Sequence, residues 1–264
     1  MSLKSKKGAQ VVTIQRTALV TGGFGTLGLA IARALQDAGH KVLLTYFQGH
    51  GDVSGDYAQG WLKQQAVEGY EFEAYPVDVA DYASTQALAD RLQADGHEVD
   101  ILVNNAGITR DATLRKLSKE NWDAVLRTNL DSAYNMTKPF IDGLLERGWG
   151  RIVNISSVNG SKGQFGQTNY SAAKAGLHGF TKSLALEVAR KGITVNTISP
   201  GYLNTPMVAE VPKDILESQI IPQIPIGRLG EPAEVADLVV YVVSENAAFL
   251  TGSNLAINGG QHLY

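Results

Sequence analysis

Short apolar runs rich in β-branched residues alternate along this chain with longer stretches in which apolar positions recur every three or four residues. The runs predict strands at 17–21, 41–46, 71–77, 100–104, 151–156, 193–199 and, briefly, 255–258. The longer stretches predict helices near 26–39, 59–68, 82–95, 121–146, 169–191 and 233–245, with Pro139 bending the fourth. The strands are nearly continuous apolar runs, as expected when helices cover both faces of a sheet. Repeated strand-then-helix order predicts one α/β domain, a Rossmann-type doubly wound parallel sheet with helices on both faces. Two segments break the rhythm. Residues 48–60 hold four glycines, two Asp and His50, and residues 201–230 hold Pro206, Pro212, Pro222 and Pro225. The second reads as a long excursion of the kind that covers a site.

Composition removes whole classes of chemistry. Among 264 residues there is no Cys, which excludes disulfides, a thiolate nucleophile, zinc–thiolate sites and iron–sulfur clusters. There is no H-E-x-x-H, and the histidines at 40, 50, 97, 178 and 262 are dispersed, so no metal site is expected. No G-x-S-x-G elbow occurs. The net charge of −3 is the balance of +4 in the first sixteen residues (Lys4, Lys6, Lys7, Arg16, no acid) and −7 in the rest. That mild acidity argues against a nucleic-acid partner. We expect residues 1–15 to be a flexible basic tail, with no apolar core of a secretory signal, and residues 16–264 to be the folded domain. No apolar run approaches the roughly 18 residues of a membrane span, so no membrane partner and a cytoplasmic location are expected.

Thr21-Gly22-Gly23-Phe24-Gly25-Thr26-Leu27-Gly28 follows the first strand and opens the first helix. Gly23, Gly25 and Gly28 satisfy G-x-G-x-x-G, in which glycines let the backbone approach a pyrophosphate and the helix N-terminus supplies unpaired N–H groups. Gly22, Gly23, Gly25, Thr26, Leu27 and Gly28 are therefore candidate dinucleotide contacts. The second strand ends Leu44-Thr45-Tyr46-Phe47-Gln48 without the acid that would hold the ribose 2′-hydroxyl of NAD; the next acid is Asp52. Its absence removes repulsion against a 2′-phosphate, so NADP(H) is favoured, with NAD(H) as the alternative. No Lys or Arg occurs between Lys41 and Lys63 to hold that phosphate, which leaves Thr45, Gln48 and His50 as donors.

Tyr170-Ser-Ala-Ala-Lys174 places a phenol and an amine on one face of a helix. A cation about 4 Å from a phenol, at an effective dielectric of about 20, is worth roughly 4 kcal/mol, enough to move a tyrosine of pKa about 10 by two to three units. Ser156 and Ser157 end one predicted strand, Asn104-Asn105-Ala106-Gly107 ends another, and Asn129 lies within a predicted helix. Together these residues resemble the short-chain dehydrogenase/reductase family over 17–264. One departure is Thr26, which stands where the family's loop has its middle glycine; Gly25 is expected to supply the flexibility.

The resemblance implies roles. Tyr170 gives a proton to a carbonyl oxygen, Ser157 polarises that oxygen, Lys174 lowers the Tyr170 pKa and holds the nicotinamide ribose, and Asn129 positions a relay water. Asn105, Ala106 and Gly107 line the cofactor, Asp78 and Val79 meet the adenine, and Pro200, Gly201 and Thr205 lie on the nicotinamide side. The stretches 154–170, 107–111 and 147–153, with Asn258-Gly-Gly, are similar to acetoacetyl-CoA reductases of polyhydroxybutyrate synthesis. That likeness implies reduction of acetoacetyl-CoA to (R)-3-hydroxybutyryl-CoA, with Gln164, Phe165, Gln167 and Tyr202 bordering the acyl group, Phe165 as a wall, and Arg115 or Lys116 near CoA phosphates. It also implies a homotetramer. The alternatives are a 3-oxoacyl-acyl carrier protein reductase of fatty-acid synthesis and a noncatalytic nucleotide-sensing protein on the same fold; the presence of both Tyr170 and Lys174 disfavours the latter.

Overall fold

The computed structural model of the protein describes residues 15–49, 55–209 and 213–263. His50, Asp52 and residues 1–14 of the expected tail lie outside the described residues. Seven strands, β1 (Thr17–Val20), β2 (Lys41–Tyr46), β3 (Glu73–Pro76), β4 (Ile101–Asn104), β5 (Gly150–Ile155), β6 (Ile193–Pro200) and β7 (Asn254–Ile257), form one parallel sheet in the order 3-2-1-4-5-6-7. The helices between them are α1 (Thr26–Asp37), α2 (Asp56–Val67), α3 (Tyr82–Ala94), α4 (Lys119–Leu126), α5 (Ser132–Thr137), α6 (Ile141–Arg147), α7 (Asn159–Lys162) and α8 (Thr168–Val188). The short α9 (Pro206–Ala209) and α10 (Lys213–Ile215) precede α11 (Pro232–Val243).

Period-2 geometry explains why the strands read as unbroken apolar runs. Successive side chains point to opposite faces, and both faces are covered. Ala18 and Val20, Val42 and Leu44, Ile101 and Val103, and Val153 and Ile155 pack with Ile31 and Leu35 of α1 and Val235 and Val239 of α11. The intervening Leu19, Leu43, Leu102 and Ile152 pack on the other face with Leu88 and Leu92 of α3, Met136 of α5, Leu144 of α6 and Val188 of α8.

The helix expected over 121–146 is not continuous. It runs as α4, widens into a π-helical turn at Arg127–Asp131, resumes as α5, and breaks at Lys138–Phe140 before α6. Pro139 accounts for the second break, because proline cannot donate to the helical ladder. The π turn carries Asn129, and such single widened turns recur at functional positions.

A chain of buried polar side chains crosses the middle of the sheet. Asn104 Nδ2 of β4 donates to Asn154 Oδ1 of β5 at 2.8 Å, Asn154 Nδ2 donates to Thr181 Oγ1 of α8 at 2.8 Å, and Thr197 Oγ1 of β6 donates to the same hydroxyl at 2.7 Å. All four side chains are buried, so each bond replaces water that cannot reach them. Asn154→Ala would remove both of its bonds, leaving Asn104 Nδ2 only a long contact to Thr137 Oγ1 at 3.5 Å and Thr181 only its bond from Thr197. We expect it to lower the unfolding free energy by about 2–4 kcal/mol; a denaturant titration showing a loss under 1 kcal/mol would contradict this role.

Candidate active site

The strand order reverses between β1 and β4, so the loops leaving their carboxyl ends diverge and open a crevice. The two loops are stitched together at its floor. Thr21 Oγ1 accepts the backbone N–H groups of Asn105 and Ala106, both at 2.9 Å, while Asn105 Nδ2 donates to Thr21 O at 2.9 Å. Above them lies a cleft of ≈680 Å³ that runs from the glycine loop to Tyr170 and Lys174.

The glycine loop has the form of a phosphate cradle. Gly22 is left-handed at φ 64°, a conformation costly for other residues. A Cβ on Gly28 would lie 2.2 Å from Gly22 O, so only glycine permits that crossing of helix and turn. α1 begins at Thr26 with no side-chain cap and no acid in its first turn. Its N-terminus thus offers uncapped N–H groups and a partial positive charge to an anion. Gly25 has φ −77° and ψ 157°, open to any residue, so the flexibility expected of it is not used; Gly22 supplies the turn. These features fit a dinucleotide pyrophosphate.

The other end of the cleft gathers side chains from β5, α8 and the π turn. Lys174 is 4% exposed, and its Nζ donates to Ile155 O at 2.8 Å and lies 5.7 Å from the centre of the Tyr170 ring. Ser157 hydrogen-bonds the Tyr170 phenol and accepts Asn159 N–H at 3.1 Å. Asn129 Oδ1 accepts Ile108 N–H and its Nδ2 donates to Ile108 O, both at 2.8 Å. That double bond fixes the chain beside Gly107, where an added Cβ would lie 3.3 Å from Asn129 Oδ1 and 3.5 Å from Lys174 Nζ.

Burial dominates the proton chemistry. It pushes the Lys174 amine down to about 8. It holds the Tyr170 phenol above its usual range, with the Ser157 hydrogen bond acting against it and the Asp111 charge reinforcing it. The net shift of Tyr170 is upward, opposite to the depression expected from Lys174. At neutral pH the site therefore holds a protonated phenol, the form that can act as an acid, beside an amine that keeps most of its charge.

The fold brings most of the expected residues to the cleft. Gly22, Gly25, Thr26, Leu27, Gly28, Asn105, Ala106, Gly107, Ser157, Gln167, Tyr170, Lys174, Pro200, Gly201, Tyr202 and Thr205 line it. Gln167 bridges Asn159 Nδ2 at 2.9 Å and Asp111 Oδ2 at 2.7 Å. Other expected residues lie elsewhere. Gly23 is buried with its α-carbon against Leu44. Thr45 is buried on the side of β2 away from the cleft. Asp78 caps its own turn, accepting Ala80 N–H at 2.9 Å, and Val79 is buried with its carbonyl on Asn135. Gln164 accepts from Lys162 at 3.0 Å, and Phe165 is 87% exposed beyond the cleft wall. Neither Gln164 nor Phe165 borders the cleft in this arrangement. Arg115 and Lys116 are exposed on a turn outside it. Ser156 also touches the cleft, but its hydroxyl donates to Lys174 O at 2.8 Å and meets His178 Nε2 at 3.0 Å, so it braces α8, while the Ser157 hydroxyl meets Tyr170.

Sequence reasoning missed the aromatic end of the cleft, formed by Phe24, Tyr46, Phe47 and Tyr57. The position of Tyr46 as the last residue of β2 was the available signal. Among the described residues no cluster of His, Asp or Glu could hold a metal, and no helix is long and apolar enough to cross a membrane.

Fold and site define a dinucleotide-dependent oxidoreductase with a Ser–Tyr–Lys centre. The family model described as enoyl-(acyl carrier protein) reductase matches residues 24–262, and the chain belongs to the short-chain dehydrogenase/reductase family, whose reductases use nicotinamide cofactors. Over 249 residues it is 52% identical to an acetoacetyl-CoA reductase of Cupriavidus necator, covering 94% of this chain and 99% of that one. The acetoacetyl-CoA reductase of Rhizobium meliloti is 52% identical over 252 residues, with 94% and 99% covered. A 3-oxoacyl-[acyl-carrier-protein] reductase of Escherichia coli is 41% identical over 249 residues, with 94% and 98% covered.

The lowered Lys174 and raised Tyr170 give a signed expectation for pH. Because Tyr170 stays protonated into the alkaline range, the first charge lost as pH rises is that of Lys174. We expect kcat/KM for carbonyl reduction, which reports groups of the free enzyme, to fall as pH passes about 8. A profile that stays flat to pH 9.5 would remove the charged lysine from the mechanism.

Proposed function

We propose that this chain reduces acetoacetyl-CoA to (R)-3-hydroxybutyryl-CoA with a nicotinamide dinucleotide. The observation that carries the reading is the meeting of Ser157, Tyr170 and Lys174 at one end of a cleft whose other end is an uncapped helix N-terminus. The substrate rests on the near full-length likeness to acetoacetyl-CoA reductases. When bound, the cofactor supplies hydride to the carbonyl carbon. The α1 N-terminus and Gly22–Gly28 hold its pyrophosphate, Asn105–Gly107 flank it, and Pro200, Gly201 and Thr205 border the nicotinamide.

Tyr170 gives its phenolic proton to the carbonyl oxygen as negative charge develops there. Ser157, already bonded to that phenol, donates to the same oxygen and fixes its position. Lys174, charged and held by Ile155 O, stabilises the phenolate left behind and meets the nicotinamide ribose. Asn129 holds the 107–109 chain against Lys174, next to the water that returns the proton. Gln167, set by Asp111 and Asn159, and Tyr202 border the short acyl group. Exposed Tyr134, Leu186, Tyr241 and Phe249 supply apolar surface for a homotetramer, which we place in the cytoplasm.

The test is a steady-state comparison of acetoacetyl-CoA with the acetoacetyl thioester of acyl carrier protein. We expect kcat/KM for the CoA ester above about 10⁴ M⁻¹s⁻¹, and loss of turnover in Tyr170→Phe with cofactor binding retained. A strong preference for the carrier-protein thioester would replace the substrate, and an active Tyr170→Phe would remove the proton donor. Light scattering should give four chains per particle, and a monomer would refute the tetramer.

A further inference from the structure

The dinucleotide cleft ends, beyond the pyrophosphate cradle, at the carboxyl end of β2. In a doubly wound sheet this is where the 2′-position of the adenosine ribose lies. It is the position at which NADP(H) carries a phosphate and NAD(H) a neutral hydroxyl. The lining here is aromatic. Phe24 of the glycine loop stacks on Tyr46 with ring centres 4.7 Å apart and planes 5° apart, and on Trp61 of α2 at 4.1 Å and 18°. Tyr57 leans on the same ring at 6.1 Å, and Phe47 stands 68% exposed at the rim. The glycine loop, β2 and α2 are thus locked together by rings rather than by charges.

We propose that this aromatic border of Phe24, Tyr46, Phe47 and Tyr57, without a basic side chain, makes the cleft select NAD(H) over NADP(H). The proposal deepens the reading above by naming its cofactor, and reverses the NADP(H) preference that the missing acid at the end of β2 suggested. Among the described residues lining the cleft, Lys174 is the only lysine or arginine, and it belongs to the opposite, catalytic end. Two cations of the flanking elements, Arg33 and Lys41, are committed elsewhere. Arg33 of α1 holds Gln65 at 2.5 Å and Glu68, and lies over the Tyr70 ring at 4.8 Å. Lys41, at the far end of β2, pairs with Glu73 at 2.8 Å. Residues 42–62 contain no Lys or Arg at all, so no part of the chain between β2 and the middle of α2 can bring one in. The residues that carry formal charge between β2 and the first turn of α2 are acids, Asp52 and Asp56, while the expected donors Gln48 and His50 carry none. Asp56 stands in the first turn of α2, the other helix N-terminus next to this end of the cleft, and its carboxylate opposes an anion there. Thr45, one of the expected donors, is buried away from the cleft.

A 2′-phosphate monoester carries about −1.5 to −2 near neutral pH. Set against ring faces it would lose hydration without the charge-assisted hydrogen bonds that replace water in a phosphate site. A ribose hydroxyl makes no such demand, and the adenine gains flat apolar surface.

Calorimetric titration of the full chain with NADH and with NADPH, without acyl substrate, tests this directly. 5′-AMP and 2′,5′-ADP serve as probes of the adenosine end alone. We expect NADH to bind at least tenfold more tightly than NADPH, and 5′-AMP more tightly than 2′,5′-ADP. Equal or tighter binding of NADPH overturns the proposal. Phe47→Arg places a cation at the exposed rim and should raise NADPH affinity relative to NADH at least tenfold; an unmoved ratio would also overturn it. Because no thioester is present, these outcomes stand apart from the acetoacetyl-CoA assay, whose failure with both cofactors would sink the substrate and leave the nucleotide preference intact.

Discussion

The bonds from the Asn105 and Ala106 amides to Thr21 Oγ1 are what the functional half of this molecule depends on. A parallel sheet whose order reverses must let two loops part at its carboxyl edge. Left to themselves those loops would expose backbone donors to a partly dry floor. Thr21 satisfies two of them, and Asn105 returns a side-chain bond to Thr21 O. The seam sets the spacing between the glycine loop and the 105–109 chain. Asn129 then sets the next spacing, because its two bonds to Ile108 fix where Gly107 passes Lys174. The cleft is therefore a consequence of two side-chain clamps on one loop, each built on backbone groups rather than on another flexible side chain.

Burial and charge compete at the catalytic end, and their balance differs from the one the sequence suggested. Considered alone, a lysine one helical turn from a tyrosine should depress the phenol. In the folded protein desolvation acts on both groups and favours the neutral form of each. The result is a phenol that resists ionisation and an amine whose charge is easily lost. That is a suitable resting condition for an acid catalyst, since the proton must be present before it is given. The Ser157 bond is the local counterweight that makes giving it easier.

Local pattern carried most of the architecture. The limits predicted for β2 match the structure, and every predicted strand is present within two residues at either end. Continuous apolar runs over a two-faced sheet leave little ambiguity. The long helix failed where local sequence is silent: the π turn at Arg127–Asp131 answers to a bond between Asn129 and Ile108, partners far apart in the chain. The meeting of Ser157, Tyr170 and Lys174 was legible because strand ends and a helix i, i+4 pair are fixed by local geometry, while their expected roles came from the family resemblance. The aromatic end of the cleft was not legible. Thr45 and Tyr46 are neighbours, and a strand turns them to opposite faces; the expectation fell on the buried one. The likeness to acetoacetyl-CoA reductases made Phe165 a wall of the acyl site, yet its loop carries it out to solvent.

The two ends of the cleft also differ in what holds them rigid. At the catalytic end, Lys174, Tyr170, Asn129 and Gln167 are fixed by hydrogen bonds, which give direction as well as distance, and direction is what proton transfer requires. At the aromatic end Phe24, Tyr46 and Trp61 are fixed by stacking, which holds a surface but aims no group. A surface of this kind suits recognition by shape and by freedom from charge. Between the two ends lies the uncapped start of α1, the place in the cleft that suits an anion. There the backbone itself supplies the positive field, so phosphate binding asks for no basic side chain. Toward β2 the chain is of a different character, with no Lys or Arg in residues 42–62. An anion at the start of α1 would be met by backbone, whereas one toward β2 would be met by aromatic faces.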